Sequence, residues 1–520
     1  MRQYLVTACE MKRYDANTIE KIGIPSLVLM ERAALVTVEE LLRSYRRQEA
    51  KVLVVAGCGN NGGDGLAVGR LLMLRGFKVD CVLIGNRAGC SRETAVQTEI
   101  LSQYGMSVKD AIEDDEYDIV IDALFGIGLS REVTGLYAET IERINQMHSF
   151  VCSVDIPSGV CADDGSILGC AVRADLTVTY GFCKLGHMLY DGAACCGKVV
   201  CREMGINERS FLGEEPRWYT ISGIAGDALL PVRDAGGNKG SFGKTLVIAG
   251  SRRICGAAVL SARSAFRMGT GMVKTVTAIE NRDVVLQAVP ESMLSTYQED
   301  MRNIEEQERF EAALQEDFNW ADAIVIGPGI GMGRQAEMLL RECLTKSSLP
   351  IVIDADGLNL IAASQELQTM VQNAGRSGRT IVLTPHLGEF ARLYGCSVSE
   401  AREHLLEYPV QMAERMQAVI VCKDARTVVT APGAARHYLN TSGNDGMATA
   451  GSGDVLAGMI GALLAQHMNG PDAAVSGVYL HGAAGDLAAQ RKTRRSMMAT
   501  DIIEEIGYAA QEKGVQEQRC

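Results

Sequence analysis

The feature that most constrains the fold is an alternation, along nearly the whole chain, of short β-rich apolar runs with longer stretches of helical periodicity. This alternation is typical of parallel α/β sheets, because a parallel strand needs a crossover, usually a helix, to reach its neighbour. The sequence predicts strands at 51–56, 79–84, 118–123 and 150–155 in the first part, and at 244–250, 272–278, 322–327, 350–354, 380–384 and 418–422 in the second. We therefore expect an α/β protein with two sheets.

A stretch between the two groups of strands, residues 205–243, loses strand and helix periodicity and gains glycine, proline and charge. Loops of that length are uncommon inside one domain, so the sequence predicts a domain boundary here. The length of 520 residues agrees, because single cores rarely grow beyond about 250–300 residues. We expect a first domain over 1–215 and a second over 220–520.

Composition excludes several classes of partner and location. A net charge of −13 argues against a broad nucleic-acid-binding surface. The longest apolar run, 455–465, is too short to cross a bilayer, and the N-terminal apolar stretch ends at Glu10, short of a signal-peptide core. The 16 cysteines are scattered without a CxxC pair, which favours reduced thiols. We expect a cytoplasmic homo-oligomer with no nucleic-acid or membrane partner.

A glycine-rich loop, GCGNNGGDG at 57–65, follows the first predicted strand. It satisfies GxGxxG, a weak motif alone, but the second strand does not end in the acidic residue that usually holds a dinucleotide ribose. Asn60, Asn61 and Asp64 stand among the glycines instead. A structural turn needs fewer glycines than this, so the loop favours ligand binding at a helix start.

Two other strands of the first half end in polar loops, IDALFGIGLSRE with Asp122 and SVDIPSGV with Asp155 and Ser158. Ligands of open α/β sheets bind beyond the carboxyl ends of the strands, so the three loops can line one crevice. Asn61, Asp122 and Ser158 would supply hard oxygen ligands for an alkali or alkaline-earth ion, although a solvated strand-end turn also explains Asp122. Asp155 is the best acid/base candidate of this half.

In the second half, the segment MATAGSGDVLAG places Asp454 after Gly451, Ser452 and Gly453, where apolar residues begin to recur with helical spacing. Free amides at such a helix start form an anion site. A carboxylate beside phosphate makes sense as a base that takes a proton from a substrate hydroxyl while that oxygen attacks a phosphoryl group. The alternative is an N-cap aspartate on a core helix.

Other strand-end loops suit a cleft for a nucleotide and a second substrate. Ala257 precedes a helix of small residues, Gly329 follows a strand, and Lys423 and Arg426 end another strand, where cations can meet phosphates. His386 also follows a strand, and the sequence leaves open whether it contacts substrate or is a structural histidine.

The segments EMKRYDANTIEKIGIPSLVLMERAA, GNNGGDG, IDALFGIGLSRE and SVDIPSG closely resemble the NAD(P)H-hydrate epimerase family over residues 1 to about 210. The resemblance implies a Rossmann-like fold that interconverts the R and S forms of hydrated NADH and NADPH. It implies that Asp155 is the substrate-binding, catalytic acid and that Asn61, Asp122 and Ser158 hold K⁺. It also implies substrate contacts from Asn60, Asn61, Gly62, Gly63, Asp64, Gly126, Ile127, Gly128, Leu129, Ser130, Arg131 and Glu132.

The segments KGSFGKTLVIAGS, VIGPGIG, IDADGLN, LTPHLGE and NDGMATAGSGDVLAG resemble the NAD(P)H-hydrate dehydratase family, of ribokinase-like fold, over about 225–515. That family phosphorylates the hydrate hydroxyl with ADP or ATP and Mg²⁺ and then eliminates phosphate. The resemblance implies hydrate contacts from Ala257, Gly329, His386 and Asp454, and adenine-nucleotide contacts from Lys423, Asp424, Ala425, Arg426, Thr427 and Gly453. Asp445 stands where the family usually has proline, which affects the rigidity of a turn more than the chemistry.

These features together predict a bifunctional repair enzyme, since the two halves would act on epimers of one compound. A ribokinase-like vitamin or small-molecule kinase shares the same fold and the GSGD segment, and the fold alone does not exclude it. A further alternative makes the N-terminal half a dinucleotide-sensing module without catalysis.

Overall fold

The computed structural model describes residues 2–47, 49–222, 226–298 and 304–511. The chain divides into two compact units, which we call the N-terminal unit (Arg2–Tyr219) and the C-terminal unit (from Thr220). Each unit contains parallel strands joined by helices, so the predicted α/β class is confirmed.

The N-terminal unit contains nine strands among its described residues. They are β1 (Arg2–Val6), β2 (Lys51–Ala56), β3 (Lys78–Leu83), β4 (Val108–Lys109), β5 (Ile119–Ala123), β6 (Phe150–Val154), β7 (Leu176–Tyr180), β8 (Cys183–Lys184) and β9 (Lys198–Arg202). Its α-helices are α1 (Ala8–Asn17), α2 (Ser26–Ser44), α3 (Asn60–Leu74), α4 (Arg92–Gln103), α5 (Leu136–Gln146) and α6 (Tyr190–Cys195).

Seven of these strands form one parallel sheet in the order β4-β3-β2-β5-β6-β7-β9, while β1 pairs with β8. The central strand β2 is apolar at nearly every position because both faces of the sheet are covered. Its register aligns Ala56 with Ala123 on β5, and Asp122 lies beside Ser153 on β6. The carboxyl ends of β2, β5 and β6, and the loops that follow them, therefore meet at one edge.

In the C-terminal unit, β10 (Trp218–Ile221) begins at the unit boundary. It is followed by β11 (Lys244–Ile248), β12 (Met272–Ala278), β13 (Met293–Tyr297), β14 (Ala323–Ile326), β15 (Ile351–Ile353), β16 (Ile381–Leu383), β17 (Val419–Cys422), β18 (Val428–Thr430) and β19 (His437–Leu439). The α-helices are α7 (Gly256–Arg267), α8 (Arg282–Ala288), α9 (Ile304–Trp320), α10 (Arg334–Lys346), α11 (Asp356–Ala363), α12 (Gln365–Arg376), α13 (Leu387–Tyr394), α14 (Val398–Glu403), α15 (Tyr408–Met416), α16 (Ser452–Ala465), α17 (Gly470–Lys492) and α18 (Ala499–Gln511).

The sheet of the C-terminal unit runs β13-β12-β11-β14-β15-β16-β17-β18-β19. The strands from β13 to β17 are parallel, and β18 and β19 extend the sheet in antiparallel fashion. All ten strands predicted in the two units form, with ends shifted by two residues at most.

Helix α16 is buried on all sides from Val455 onward. Two glycines allow its close approach to its neighbours: a Cβ on Gly458 would lie 2.3 Å from the Ser261 carbonyl oxygen of α7, and one on Gly461 would lie 2.1 Å from a Val325 methyl of β14. The apolar run at 455–465 is therefore a core helix. No helix in the described ranges combines the length and hydropathy needed to cross a membrane. The 15 cysteines in these ranges are free thiols.

Candidate active sites in the two units

A cavity of about 550 Å³ opens at the carboxyl ends of β2, β5 and β6 in the N-terminal unit. Its wall includes most of the residues that the sequence predicts to contact substrate: Asn60, Asn61, Asp64, Gly126, Ile127, Gly128, Leu129, Ser130, Arg131 and Asp155. Three predicted residues lie off this wall. Glu132 is exposed, and a Cβ on Gly62 or Gly63 would meet the Gly57 carbonyl oxygen at 1.8 Å or the Met30 methyl at 2.7 Å. These two glycines therefore allow α3 to pack closely against the Gly57 backbone and the Met30 side chain.

Asp155 is held in a strained position directly after β6. Its backbone has φ 67°, a left-handed conformation that is uncommon for aspartate. Its carboxylate accepts hydrogen bonds from Thr179 Oγ1 at 2.9 Å and from Lys184 Nζ at 2.5 Å. The Lys184 side chain is only 1% exposed, so this is a buried ion pair at the cavity wall. Such a pair fixes the orientation of the carboxylate toward a ligand.

His187 supports the Asp155 backbone. Its Nδ1 accepts a hydrogen bond from the Lys184 amide at 3.1 Å, so Nε2 carries the proton and donates to the Asp155 carbonyl at 2.9 Å. Burial and the charge of Lys184 lower the pKa of His187 to about 3, and the ring is neutral at physiological pH. Neither Lys184 nor His187 was predicted from the sequence, because only the fold brings the segment around β8 to the end of β6.

Two further carboxyl groups, Asp15 on α1 and Asp64 on α3, line the same cavity. Burial, followed by the negative charge of Asp155, raises the pKa of each above its ordinary value, and the rise is greater for Asp64. The cavity therefore contains one ion-paired carboxylate and two carboxyl groups that burial biases toward the protonated form.

Beside this cavity, oxygen atoms converge on Asp122, which is fully buried. Its carboxylate accepts hydrogen bonds from Ser158 Oγ at 2.5 Å, Ser153 Oγ at 2.8 Å and the Ser158 amide at 2.9 Å. Ser158 Oγ also lies 3.3 Å from the Phe125 carbonyl oxygen, which the Asn61 amide contacts at 3.0 Å. The fold thus brings together Asn61, Asp122 and Ser158, as the sequence predicts. Burial raises the pKa of Asp122, and the hydrogen bonds from Ser158, Ser153 and the Leu124 amide act in the opposite direction.

In the C-terminal unit, Gly451 occupies the N-cap of α16 with φ 88°, and Asp454 is the third residue of the helix. The predicted helix start is confirmed, whereas the alternative of an N-cap aspartate is wrong. The Asp454 carboxyl group accepts no hydrogen bond from any described residue; only its backbone carbonyl is bonded, by Ser261 Oγ at 3.0 Å. Capping therefore does not explain this carboxylate.

A buried ion pair faces the start of α16. Lys423 Nζ donates to Asp354 Oδ1 at 2.7 Å, and Thr384 Oγ1 donates to the same oxygen at 2.7 Å. A Cβ on Gly453 would lie 3.1 Å from Lys423 Nζ. The absence of a side chain at Gly453 thus leaves room for the Lys423 ammonium group, paired with Asp354, beside the start of α16.

The electrostatic environment makes Asp454 a base suited to neutral pH. Burial, followed by the negative charge of Asp354, raises its pKa from 3.8 to about 6, while Lys423 acts in the opposite direction. A carboxylate with this pKa is mostly ionised at pH 7 and accepts a proton more readily than an ordinary aspartate.

His386 and Lys423 lie side by side, because the ends of β16 and β17 form a parallel bridge at these two residues. The His386 Nδ1 caps α13 by accepting from the Gly388 amide at 3.0 Å, and its side chain remains 55% exposed. Burial and the nearby charge of Lys423 lower its pKa, so the ring is neutral at pH 7. His386 therefore has a structural role as a helix cap, and its Nε2 lies 3.4 Å from Glu389 Oε1.

Ala257 and Gly329 are in contact, and a Cβ on Gly329 would lie 3.0 Å from the Ala257 Cβ. Gly329 has φ 64°, so the turn itself also favours glycine. The segment from Lys423 to Thr427, which includes Asp424, Ala425 and Arg426, forms the turn between β17 and β18.

Asp445 is the first residue of a short 3₁₀ turn, Asp445–Met447, that Asn444 caps through the Gly446 amide at 3.0 Å. Proline is favoured at such a first position. Here the Asp445 side chain is 79% exposed and lies 3.3 Å from the Arg494 guanidinium. The substitution thus exchanges a rigid residue for a weak surface ion pair.

Comparisons with known proteins cover both units. Residues 245–507 match the family model described as NAD(P)H-hydrate dehydratase, and residues 26–186 match the model described as YjeF-related protein N-terminus. The bifunctional NAD(P)H-hydrate repair enzyme Nnr of Moorella thermoacetica is 35% identical, with coverage of 97% of this chain and 96% of the relative. This chain belongs to the bifunctional NAD(P)H-hydrate repair enzyme family.

Other members of the repair-enzyme family show the same relationship. The Escherichia coli enzyme is 32% identical, over 95% of this chain and 92% of its own length. Among solved structures, the ADP/ATP-dependent NAD(P)H-hydrate dehydratase of Bacillus subtilis, co-crystallised with ATP and Mg²⁺, is 28% identical. It covers 55% of this chain and 94% of its own, with a TM-score of 0.45. Full-length membership supports the repair-enzyme hypothesis over the vitamin-kinase alternative.

Proposed function

We propose that this chain repairs hydrated NADH and NADPH. Its N-terminal unit interconverts the R and S hydrates, and its C-terminal unit converts the S hydrate to the reduced nicotinamide nucleotide at the expense of ADP or ATP. The observation that carries the proposal is Asp454, a carboxylate with a pKa near 6 and no hydrogen-bonding partner among the described side chains, at the amide-rich start of α16. Family membership over nearly the full length supports the pairing of the two activities.

In the dehydratase reaction, Asp454 takes the proton from the hydrate hydroxyl as that oxygen attacks the terminal phosphoryl group. The amides at the start of α16 and the ammonium group of Lys423 stabilise the negative charge that develops on the transferred group. Elimination of phosphate from the phosphorylated hydrate then restores the nicotinamide ring. Ala257, Gly329 and His386 are proposed to contact the hydrate, and His386 is suited to hydrogen bonding because its ring is neutral.

The adenine nucleotide is proposed to lie against Gly453 and the turn from Lys423 to Thr427. The free backbone amides at the start of α16, with Lys423 beside Gly453, suit its phosphates. No group of three or more His, Cys, Asp or Glu side chains in the described ranges could hold a metal ion. That suits Mg²⁺, which usually binds through one or two carboxylates together with substrate phosphates. Asp354, the neighbouring carboxylate that is not the proposed base, would be the protein ligand, and bound Mg²⁺ would neutralise phosphate charge.

In the epimerase reaction, Asp155 is proposed to act directly on the hydrate, because its carboxylate is oriented into the cavity by Lys184 and Thr179. The predicted contacts of 60–64 and 126–132 belong to the same proposal. K⁺ is proposed to bind Asn61, Asp122 and Ser158. The support for this site is that Ser158 is hydrogen-bonded to the buried Asp122 carboxylate, and that Asn61 and Ser158 both contact the Phe125 carbonyl oxygen. Bound K⁺ would fix the loops that line the cavity.

The domain limits 1–215 and 220–520, a cytoplasmic location and a homo-oligomeric state also belong to the proposal. Free thiols throughout the described ranges support a reducing compartment. Light scattering on the purified protein tests the oligomeric state.

The decisive experiment incubates the protein with a mixture of R and S hydrates, Mg²⁺ and either ADP or ATP, and follows the return of reduced-nicotinamide absorbance. Full recovery is expected in two phases: the S hydrate is repaired first, and the R hydrate follows as it is epimerised. No recovery with either nucleotide would contradict the dehydratase assignment. A second phase no faster than the uncatalysed conversion of R to S would contradict the epimerase assignment.

A further inference from the structure

The N-terminal cavity contains a carboxyl group whose environment differs from that of Asp155. Asp64 is the fifth residue of α3 and lies on the cavity wall. Asp155 is bonded to Lys184 and Thr179, whereas no donor in the described ranges reaches the carboxyl oxygens of Asp64. The two aspartates thus line one cavity from different elements, α3 and the end of β6. Asp155 has a cationic partner, and Asp64 has none among the described residues.

The charges around Asp64 favour its neutral form. Burial is the main cause of the raised pKa of Asp64, and the nearby negative charges of Asp155 and Asp15 add to it. Lys184, the buried cation of this site, is bonded to Asp155 instead. Asp64, which has no hydrogen-bond donor beside it in the described parts of the chain, is therefore the candidate proton donor of the cavity, and Asp155, whose carboxylate is paired with Lys184, is the candidate proton acceptor.

Epimerisation of the hydrate needs a donor and an acceptor together. In the hydrate, the carbon that carries the hydroxyl group is bonded to the ring nitrogen. When the C–O bond breaks, the nitrogen lone pair forms a C=N bond, and the departing hydroxyl group needs a proton to leave as water. Water then adds to the other face of that carbon and must lose a proton. Because the hydroxyl group leaves from one face of the ring and water enters from the other, a carboxyl group on one side reaches only one of these two protons.

We propose that Asp64 is a second catalytic residue of the epimerase, which protonates the departing hydroxyl group while Asp155 accepts the proton of the entering water. This inference rests on the proposed epimerase function. After one conversion from R to S, Asp64 is ionised and Asp155 is protonated, which is the state that catalyses the reverse conversion. Proton exchange with solvent through the open cavity restores the starting state. The oxygen of the product comes from water.

The test uses the full-length protein, with the S-hydrate phase of the repair assay as an internal control for folding and for the C-terminal unit. Asp64→Asn keeps the size and neutrality of a protonated aspartate but donates no acidic proton. We expect the kcat of the R-hydrate phase to fall by about 10²–10⁴, with KM nearly unchanged and the S-hydrate phase normal. Asp64→Glu, which keeps an acidic proton, should retain more of the rate than Asp64→Asn.

Several outcomes would overturn the inference. An R-hydrate phase in Asp64→Asn within threefold of wild type would do so, as would a raised KM with unchanged kcat, or equal losses in Asp64→Asn and Asp64→Glu. Loss in Asp15→Asn with Asp64→Asn intact would assign the proton donor to Asp15. A wild-type protein without a catalysed R-hydrate phase would instead contradict the underlying epimerase function.

Isotopic labelling tests the C–O bond cleavage on which the proposed role of Asp64 depends. In H₂¹⁸O, the hydroxyl group of each epimerised molecule acquires ¹⁸O, and the phosphate eliminated by the C-terminal unit carries that oxygen away. Phosphate released during the R-hydrate phase should contain one ¹⁸O, and phosphate from the S-hydrate phase should contain none above the enzyme-free background. Unlabelled phosphate from the R-hydrate phase would refute the proposed C–O cleavage.

Discussion

Replacement of Asp454 by asparagine should separate activity from stability. The amide has nearly the size of the carboxylate but cannot accept the hydroxyl proton, so the dehydratase rate should fall by about 10²–10⁴. Nucleotide binding should persist, because the amides of Gly451 to Gly453 remain and one negative charge near the phosphates is removed. Epimerisation should be unaffected, because its residues lie in the N-terminal unit.

Stability should rise in the same variant. The pKa of Asp454 rises from 3.8 to about 6 on folding. The folded state therefore binds this proton more tightly than the unfolded chain does, and the wild type loses stability as pH increases from about 4 to 6. A shift of this size corresponds to on the order of 3 kcal/mol above pH 6. Asparagine removes that cost, and no hydrogen bond from a described residue to the side chain is lost.

The assay compares dehydratase rate, nucleotide affinity and melting temperature for wild type, Asp454→Asn and a control, Asp445→Asn. The control makes the same chemical change on an exposed side chain in the same segment and should leave all three nearly unchanged. For Asp454→Asn, the melting temperature should rise by several degrees at pH 7.5 and differ little from wild type near pH 4. A near-normal rate, or a rate loss with a lowered melting temperature at pH 7.5, would refute the reasoning.

Three further predictions concern other parts of the chain. Asp122→Ala removes the only formal charge among the proposed K⁺ ligands and should weaken K⁺ dependence and hydrate binding in the epimerase assay; unchanged epimerisation in potassium-free buffer would count against the ion site. The separate fragments 1–215 and 220–520 should each fold, and the second should repair about half of a racemic mixture quickly; its rapid repair of both epimers would show that the epimerase assignment is wrong. Asp445→Pro should change the free energy of unfolding by no more than about 1 kcal/mol, because proline fits the first position of the turn while the ion pair with Arg494 is lost, and a loss of several kcal/mol in denaturant titration would contradict this account.

The local pattern of the chain was sufficient to predict the central strands and the helix that begins at Ser452. Most of the predicted strands are runs of apolar residues that are largely buried, and such runs are visible without tertiary information. The strands that were not predicted include β1, β7, β9, β10 and β13, which have four or five residues, and the three-residue β18 and β19. Strands β4 and β8 were also missed, and they contain only two residues. Runs that short give no reliable period, and neighbouring strands determine whether they pair.

For the candidate sites, too, some features were predictable from the sequence and others were not. The glycine-rich loops and the aspartates at strand ends were evident from sequence, because backbone approach and anion binding need those residue types next to a strand or helix end. Only the tertiary structure showed that Lys184 pairs with Asp155, that Lys423 pairs with Asp354, and that Asp64 and Asp454 have raised pKa values. The physical reason is that burial and charge–charge distances between residues far apart in the chain depend on the packing of whole elements. The sequence therefore determined which chemical groups are present at each site, and the fold decided which of them are ionised.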